Sequence, residues 1–191
     1  MKKILILLLL LYFSCFYTFS ATFDENRIAT GKNKFGFAVG YGNQLFWDVT
    51  YNYQLLLYSL QYQYTFYQKN SFSSELVIQP QYNAASFFED TQKYSFEYGV
   101  NIGALLRKEL SNFSVFAMLS AGPHYVSDVP SRQANGFIFS DNLMVGVSYM
   151  LTENLGLDVR GGVRHISNAG FIAPNGGVNN TIFQIGFFVL P

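Results

Sequence analysis

The sequence predicts an all-β protein, an eight-stranded antiparallel transmembrane β-barrel of the outer-membrane type. Aromatic residues make up 18% of the chain and charged residues only 13%, a composition that suits a surface in contact with lipid. Segments of about ten residues alternate apolar with small or polar side chains, which is the period of a β-strand. The connections between these segments alternate between short and long, as they do in outer-membrane barrels.

The first 21 residues have the pattern of a secretory signal peptide, with an uncleaved membrane anchor as the alternative. Lysines at positions 2 and 3 precede an apolar run over residues 4–19, and two small residues suited to cleavage follow. Cleavage would leave a single β-barrel domain, residues 22–191, exported from the cytoplasm. Cys15, the one cysteine, would leave with the signal, so the mature chain would have no disulfide or thiol chemistry.

The first four barrel segments alternate most regularly. Phenylalanine, valine and tyrosine alternate with glycine and alanine over residues 35–42, and leucine and tyrosine alternate with serine and glutamine over 56–66. Residues 75–82 set leucine and isoleucine against glutamate and glutamine. Residues 94–107 set aromatic and aliphatic side chains against serine, glycine, asparagine and two charged residues. Each segment is therefore predicted to be a strand with one lipid-facing side.

The last four segments follow the same rule with one irregularity. Residues 113–122 are the least regular, because a phenylalanine and a methionine fall on their polar face. Residues 137–149 alternate aromatic and aliphatic side chains with serine, asparagine and glycine. Residues 155–164 set leucine and valine against aspartate, glycine and arginine, and residues 183–189 set phenylalanine, isoleucine and valine against glutamine and glycine.

Two details favour a membrane barrel over the alternative, a soluble exported β-sandwich or lipocalin-like barrel. First, charged residues lie on the polar faces, as in the packed polar interior of a small barrel; they are Glu97, Arg107, Asp158, Arg160 and Arg164. Second, the short connections near 68–73, 108–112 and 152–154 alternate with long ones near 43–53, 83–93, 123–134 and 168–178. With eight strands, both chain ends are then expected in the periplasm and the long loops outside.

A histidine and a serine stand two residues apart at the upper end of the seventh strand. His165 and Ser167 share a face with the apolar residues of that strand, so both are predicted to point outward at the rim. A base beside a hydroxyl is what nucleophilic acyl chemistry requires. The alternative is that both residues are solvated at headgroup depth without a chemical role.

Strand register supplies neighbours for this pair. The short turn near 152–154 places either Phe139 or Asp141 opposite His165, and the outward parity of the eighth strand places Asn179 on its other side. Either Asp141 or Asn179 can therefore orient the imidazole. Glycines in the following loop allow backbone angles that aim N–H groups at an oxyanion.

The motif H-I-S-N-A-G at 165–170, followed by P-N-G-G-V-N at 174–179, resembles the outer-membrane lipid A 3-O-deacylases, also called acyloxyacyl hydrolases. The stretch G-P-H-Y at 122–125 and the strand at 137–149 are similar as well. The resemblance implies an eight-stranded barrel that hydrolyses the ester-linked acyl chain at position 3 of lipid A without a cofactor or a metal.

The resemblance also assigns roles to individual residues. It implies that Ser167 is the nucleophile and His165 the general base. The oxyanion-hole region of the family corresponds by position to Asn168, Gly170 and Asn175 of this chain. The family has a glutamate where this chain has Asn179, so either Asp141 supplies the charge, or turnover is slow, or the activity is lost.

The sequence thus favours an esterase acting on lipid A of lipopolysaccharide in the outer leaflet, with a non-catalytic, partner-binding barrel as the main alternative and acyl transfer as a third. Twelve basic and twelve acidic residues argue against a nucleic-acid partner. A homodimer is left open. His124, the other histidine, is expected in an outer loop as a solvated residue rather than a ligand.

Overall fold

A computed structural model describes residues 33–45, 51–111 and 113–191 of the chain. The predicted signal peptide, residues 1–21, lies outside the described residues, as does most of the first loop. The strands are β1 (Asn33–Gln44), β2 (Asn52–Lys69), β3 (Phe72–Phe88), β4 (Gln92–Leu110), β5 (Phe113–Val126), β6 (Gly136–Met150), β7 (Leu155–Ser167) and β8 (Val178–Val189). No helix in these ranges is long and apolar enough to cross a membrane.

The eight strands form one closed antiparallel barrel in sequence order. Closure is made by β1 and β8, which pair from Phe35 opposite Val189 to Gln44 opposite Asn180. Closing the sheet leaves no free edge, so the backbone hydrogen bonds of every strand are satisfied by its neighbours. The predicted fold class and all eight predicted strands are confirmed.

The predicted alternation of short and long connections is wrong at one place. The sequence predicts a long outer loop over residues 83–93, but β3 and β4 continue in register until Phe88 pairs with Gln92. The small residues Ala84, Ala85 and Ser86 hide the alternation there without interrupting the pairing. We call the end with connections 45–51, 89–91, 127–135 and 168–177 the loop end, and the opposite end the turn end.

The barrel interior is filled by buried ion pairs and polar side chains, as expected from the sequence. Near the turn end, Glu75 accepts hydrogen bonds from Lys34 Nζ and Arg107 Nε, each at 2.8 Å. Nearer the loop end, Glu97 is paired with Arg164. An apolar cluster completes the interior, with members on β2, β3, β6 and β7 near the loop end; among them are Leu55, Phe87, Ile138 and Ile166.

His124 lies inside the barrel, so the expectation of a solvated loop residue is wrong. Strand β5 continues beyond Gly122, and its side chains keep alternating between the exterior and the interior. His124 is one of the inward-pointing residues and is 2% exposed. Its Nδ1 is 2.6 Å from Glu97 Oε1, and its Nε2 is 3.2 Å from Asn101 Oδ1. Glu97 therefore holds two partners from two other strands, His124 and Arg164.

The barrel exterior is apolar and aromatic. A row of aromatic residues crosses five consecutive strands in register, as in the aromatic belts of membrane barrels; its members are Tyr58, Tyr82, Tyr98, Tyr125 and Phe137. All five are between 41 and 52% exposed in the isolated chain, which in a membrane is contact with lipid. Trp47, a residue type that is also typical of such belts, lies outside the described residues.

Replacing Glu97 with alanine is expected to lower the free energy of unfolding by about 3–5 kcal/mol, because Arg164 would remain buried without its carboxylate. Unfolding of the refolded barrel by urea in lipid vesicles, followed by circular dichroism, measures the loss. Glu153→Ala is the matched control, since Glu153 is exposed in the turn between β6 and β7. Equal midpoints for the two variants would contradict a structural role of the Glu97 pair.

Candidate active site

One row of side chains on the outer surface contains His165 and both of its predicted neighbours. His165 of β7 is the register partner of Asp141 on β6 and of Asn179 on β8. The three residues are half-buried, on the face whose other members point away from the barrel interior. The sequence leaves Phe139 and Asp141 open as the residue opposite His165, and the register selects Asp141.

The imidazole is hydrogen-bonded to only one of these two neighbours among the described residues. His165 Nδ1 is 2.7 Å from Asn179 Oδ1. Because the amide oxygen is an acceptor, Nδ1 carries the proton in this arrangement and Nε2 is left as the basic nitrogen. Asp141 is the register partner of His165 on β6, but no hydrogen bond joins its carboxylate to the ring.

Ser167 is the last residue of β7 and points to the same side of the sheet as His165. Two residues of strand separate their Cα atoms by about 6.6 Å. The register partner of Ser167 is Phe139, whose ring lies 6.2 Å from the ring of Phe171 in the loop after β7. Phe171 is 70% exposed, so the surface beside Ser167 is apolar and open rather than an enclosed pocket.

The loop over residues 168–177 is held by its own polar side chains. Asn168 N donates to Asn175 Oδ1 at 3.0 Å, and Asn168 Nδ2 donates to the Ile172 carbonyl at 2.7 Å. Gly170 N donates to Asn168 Oδ1, also at 3.0 Å. The backbone N–H groups of Asn168 and Gly170 thus have acceptors within the loop. Asn175 accepts through its oxygen, which leaves its side-chain NH₂ on the Gly170 side of the loop.

Gly177 forms the wall against which the histidine ring rests, a contact that no sequence pattern indicates. A Cβ atom at this position would lie 2.5 Å from His165 Cε1, and the backbone has φ +66°, a conformation that favours glycine. Its N–H donates to Gln133 Oε1 at 3.0 Å. The only signal in the sequence is the Gly176-Gly177 pair, which indicates a loop with unusual backbone angles but not this contact.

The arrangement offers a hydroxyl, an imidazole with a fixed tautomer, an amide that orients it, and a second amide close by. These are the parts of a nucleophile–base pair with an orienting third residue. Among the described residues, no cluster of three histidine, cysteine or acidic side chains has the geometry to hold a metal ion.

Comparison with known proteins gives a family and a fold. The sequence profile of the family described as "Lipid A 3-O-deacylase (PagL)" matches residues 35–188. No curated protein sequence matches the chain. The solved structure of the outer membrane enzyme PagL is 15% identical with a TM-score of 0.53, covering 83% of this chain and 99% of the other. Neisserial surface protein A is 14% identical with a TM-score of 0.54, covering 84% and 96%.

Substituting Gly177 with alanine is expected to displace the His165 ring and to cost about 1–2 kcal/mol of stability through the left-handed backbone alone. The Cε1–H resonance of His165 in the ¹³C-histidine spectrum of the micelle-bound barrel measures the displacement. Gly161→Ala is the matched control on the same barrel, because a Cβ there meets nothing closer than 3.6 Å. An unmoved His165 resonance in Gly177→Ala would contradict the contact.

Proposed function

The chain belongs to the lipid A 3-O-deacylase family of bacterial outer-membrane β-barrels, and from this premise we propose that it is a serine esterase that removes the 3-O-linked acyl chain of lipid A or a related glycolipid. The observation that carries the proposal is the hydrogen bond between His165 Nδ1 and Asn179 Oδ1, on the lipid-facing surface beside Ser167. The functional form is the single barrel domain, residues 22–191, after removal of residues 1–21.

His165 is the proposed general base. Its protonated Nδ1 is engaged by Asn179, so Nε2 is available to accept the hydroxyl proton of Ser167. The wall at Gly177 limits rotation of the ring, which keeps the basic nitrogen in one place. Pre-orientation of this kind lowers the barrier without any further interaction with the substrate.

Ser167 is the proposed nucleophile. Its Oγ attacks the acyl carbonyl carbon while its proton passes to His165 Nε2, and a tetrahedral intermediate forms. Collapse of the intermediate breaks the ester C–O bond, and the sugar oxygen leaves with the proton from His165. A water molecule, deprotonated by His165, then hydrolyses the acyl-serine, releases the fatty acid and regenerates Ser167.

Asn168, Gly170 and Asn175 are the proposed oxyanion region. The side-chain NH₂ of Asn175 is suited to donate, because the Asn175 oxygen is already held by the Asn168 N–H. The backbone N–H groups of Asn168 and Gly170 serve first to fix the loop, and either would have to release its acceptor to bind the oxyanion. A donor fixed in advance stabilises developing charge without reorganisation during the reaction.

Asn179 supplies orientation without charge. An amide oxygen can hold the Nδ1–H, but it does not compensate the positive imidazolium that forms as Ser167 loses its proton. Asp141, on the other side of the ring, is the proposed source of that compensation, acting at a distance rather than through a hydrogen bond. Turnover slower than with the family's glutamate is therefore expected.

Substrate access follows from the outward position of the site. A lipid ester in the outer leaflet has its linkage near the headgroup boundary, so it can reach Ser167 by lateral diffusion without entering a pocket. The apolar surface formed by Phe139 and Phe171 borders the nucleophile on the route of the acyl chain. The homodimer left open by the sequence finds no support in the comparisons, and the proposed reaction uses one chain.

In outer membranes that carry 3-O-acylated lipid A, expression of the chain is expected to yield lipid A lacking one hydroxyacyl chain. Ser167→Ala and His165→Ala should each abolish the loss, because each removes one half of the nucleophile–base pair. Mass spectrometry of extracted lipid A measures the change, with heat-modifiable gel migration as the control for insertion. Unchanged lipid A in the presence of the inserted, unsubstituted barrel would contradict the proposal and favour the non-catalytic alternative.

Asn179→Glu is expected to raise the deacylation rate by about tenfold or more, since exchange of acid for amide in a serine protease triad changes turnover by about 10⁴. Asp141→Asn should lower the rate of the unsubstituted protein but have little effect in the Asn179→Glu background, where the introduced carboxylate supplies the charge. Rates are measured on purified lipid A in mixed micelles. An equal effect of Asp141→Asn in both backgrounds would show that Asp141 does not compensate the imidazolium.

A further inference from the structure

The loop between β5 and β6 is joined by hydrogen bonds to the loop that carries the site. Gly176 N donates to the Arg132 carbonyl at 2.7 Å, and Ala134 N donates to the Pro174 carbonyl at 2.8 Å. Arg132 Nη2 also donates to the Gly176 carbonyl at 2.7 Å. These bonds extend a short antiparallel pairing, centred on Gln133 opposite Asn175, beyond the end of the barrel.

Gln133 is the member of this pairing that is linked, through Gly177, to His165, the proposed general base. Its side chain is 3% exposed, and its Oε1 accepts the Gly177 N–H at 3.0 Å. Gly177 in turn is packed against His165 Cε1. The orienting contacts on the imidazole therefore come from two residues, Asn179 at Nδ1 and Gly177, which Gln133 holds, along the Cε1–Nε2 edge of the ring.

The same pairing fixes the candidate oxyanion donor, since Asn175 is the register partner of Gln133. The loop between β5 and β6 is itself tied down at its other side. Ser131 donates to Glu89 Oε1 through its N–H at 2.9 Å and through its hydroxyl at 2.8 Å. A continuous series of contacts thus runs from the connection between β3 and β4, through Gln133, to the site.

We propose that Gln133 is a positioning residue of the esterase, which holds Gly177 against His165 and Asn175 beside Ser167. The inference rests on the function proposed above. Gln133 touches neither substrate nor nucleophile, and its contribution passes through the wall and the loop. The role requires an acceptor at Oε1; the Gln133 Nε2 donates only to the Ala134 carbonyl of its own loop, at 3.1 Å.

The test compares Gln133→Ala with Gln133→Glu, which keeps the acceptor, and with Asn135→Ala, an exposed position in the same loop. Gln133→Ala is expected to lower kcat by about tenfold to a hundredfold with KM changed less than about twofold, because misplacing a catalytic group acts on the transition state. Gln133→Glu should recover most of kcat, and Asn135→Ala should match the unsubstituted protein.

A second measurement does not depend on turnover. The chain has two histidines, so the ¹³C-histidine spectrum of the folded barrel has one signal from His165 and one from His124 as an internal reference. Gln133→Ala should move or broaden the His165 signal and leave that of His124 in place, even if the barrel has no deacylase activity. An unmoved His165 signal, or the same kcat loss in Gln133→Glu as in Gln133→Ala, would overturn the proposal.

Discussion

Closure of the sheet by β1 and β8 is the constraint on which the structure depends. Once the barrel is closed, every second residue of each strand must face a narrow interior and the others must face lipid. The interior positions are filled by side chains that compensate one another, as Glu97 does with Arg164 and His124. The exterior positions are left mostly to apolar and aromatic residues.

The candidate site follows from this division of faces. His165 stands next to the buried Arg164 in sequence but on the opposite side of the sheet, so the ion pair that anchors β7 inside also fixes the strand that presents the site outside. The β7–β8 register makes the hydrogen bond from His165 to Asn179 possible, and the β6–β7 register places Asp141 opposite His165 on its other side. The geometry of the candidate site on the lipid-facing surface is therefore set by the strand registers of the barrel rather than by a pocket.

The barrel fold and the strand register around His165 could largely be predicted from the sequence, because alternation and short turns are local signals. The turn at residues 151–154 sets the pairing of β6 with β7, and that pairing brings Asp141 opposite His165. Whether Asn179 or Asp141 forms a hydrogen bond with His165 depends on how far each side chain reaches, which the strand register does not specify.

The interior position of His124 could not be predicted, because β5 continues past Gly122 and Pro123, residues that usually signal a turn. Contacts between loops, such as Gln133 with Gly177, have no periodicity and leave no pattern in the sequence.

The most direct measurement of whether the outward histidine activates the serine is covalent labelling with a lipid-like fluorophosphonate. Such a reagent reacts with a serine hydroxyl that a neighbouring base makes nucleophilic, and it needs no knowledge of the preferred acyl chain. Peptide mass spectrometry of the labelled barrel should find the adduct on Ser167, and His165→Ala should remove it while the barrel stays folded. An adduct on other serines, or one on Ser167 that persists without His165, would contradict a nucleophile–base pair at this site.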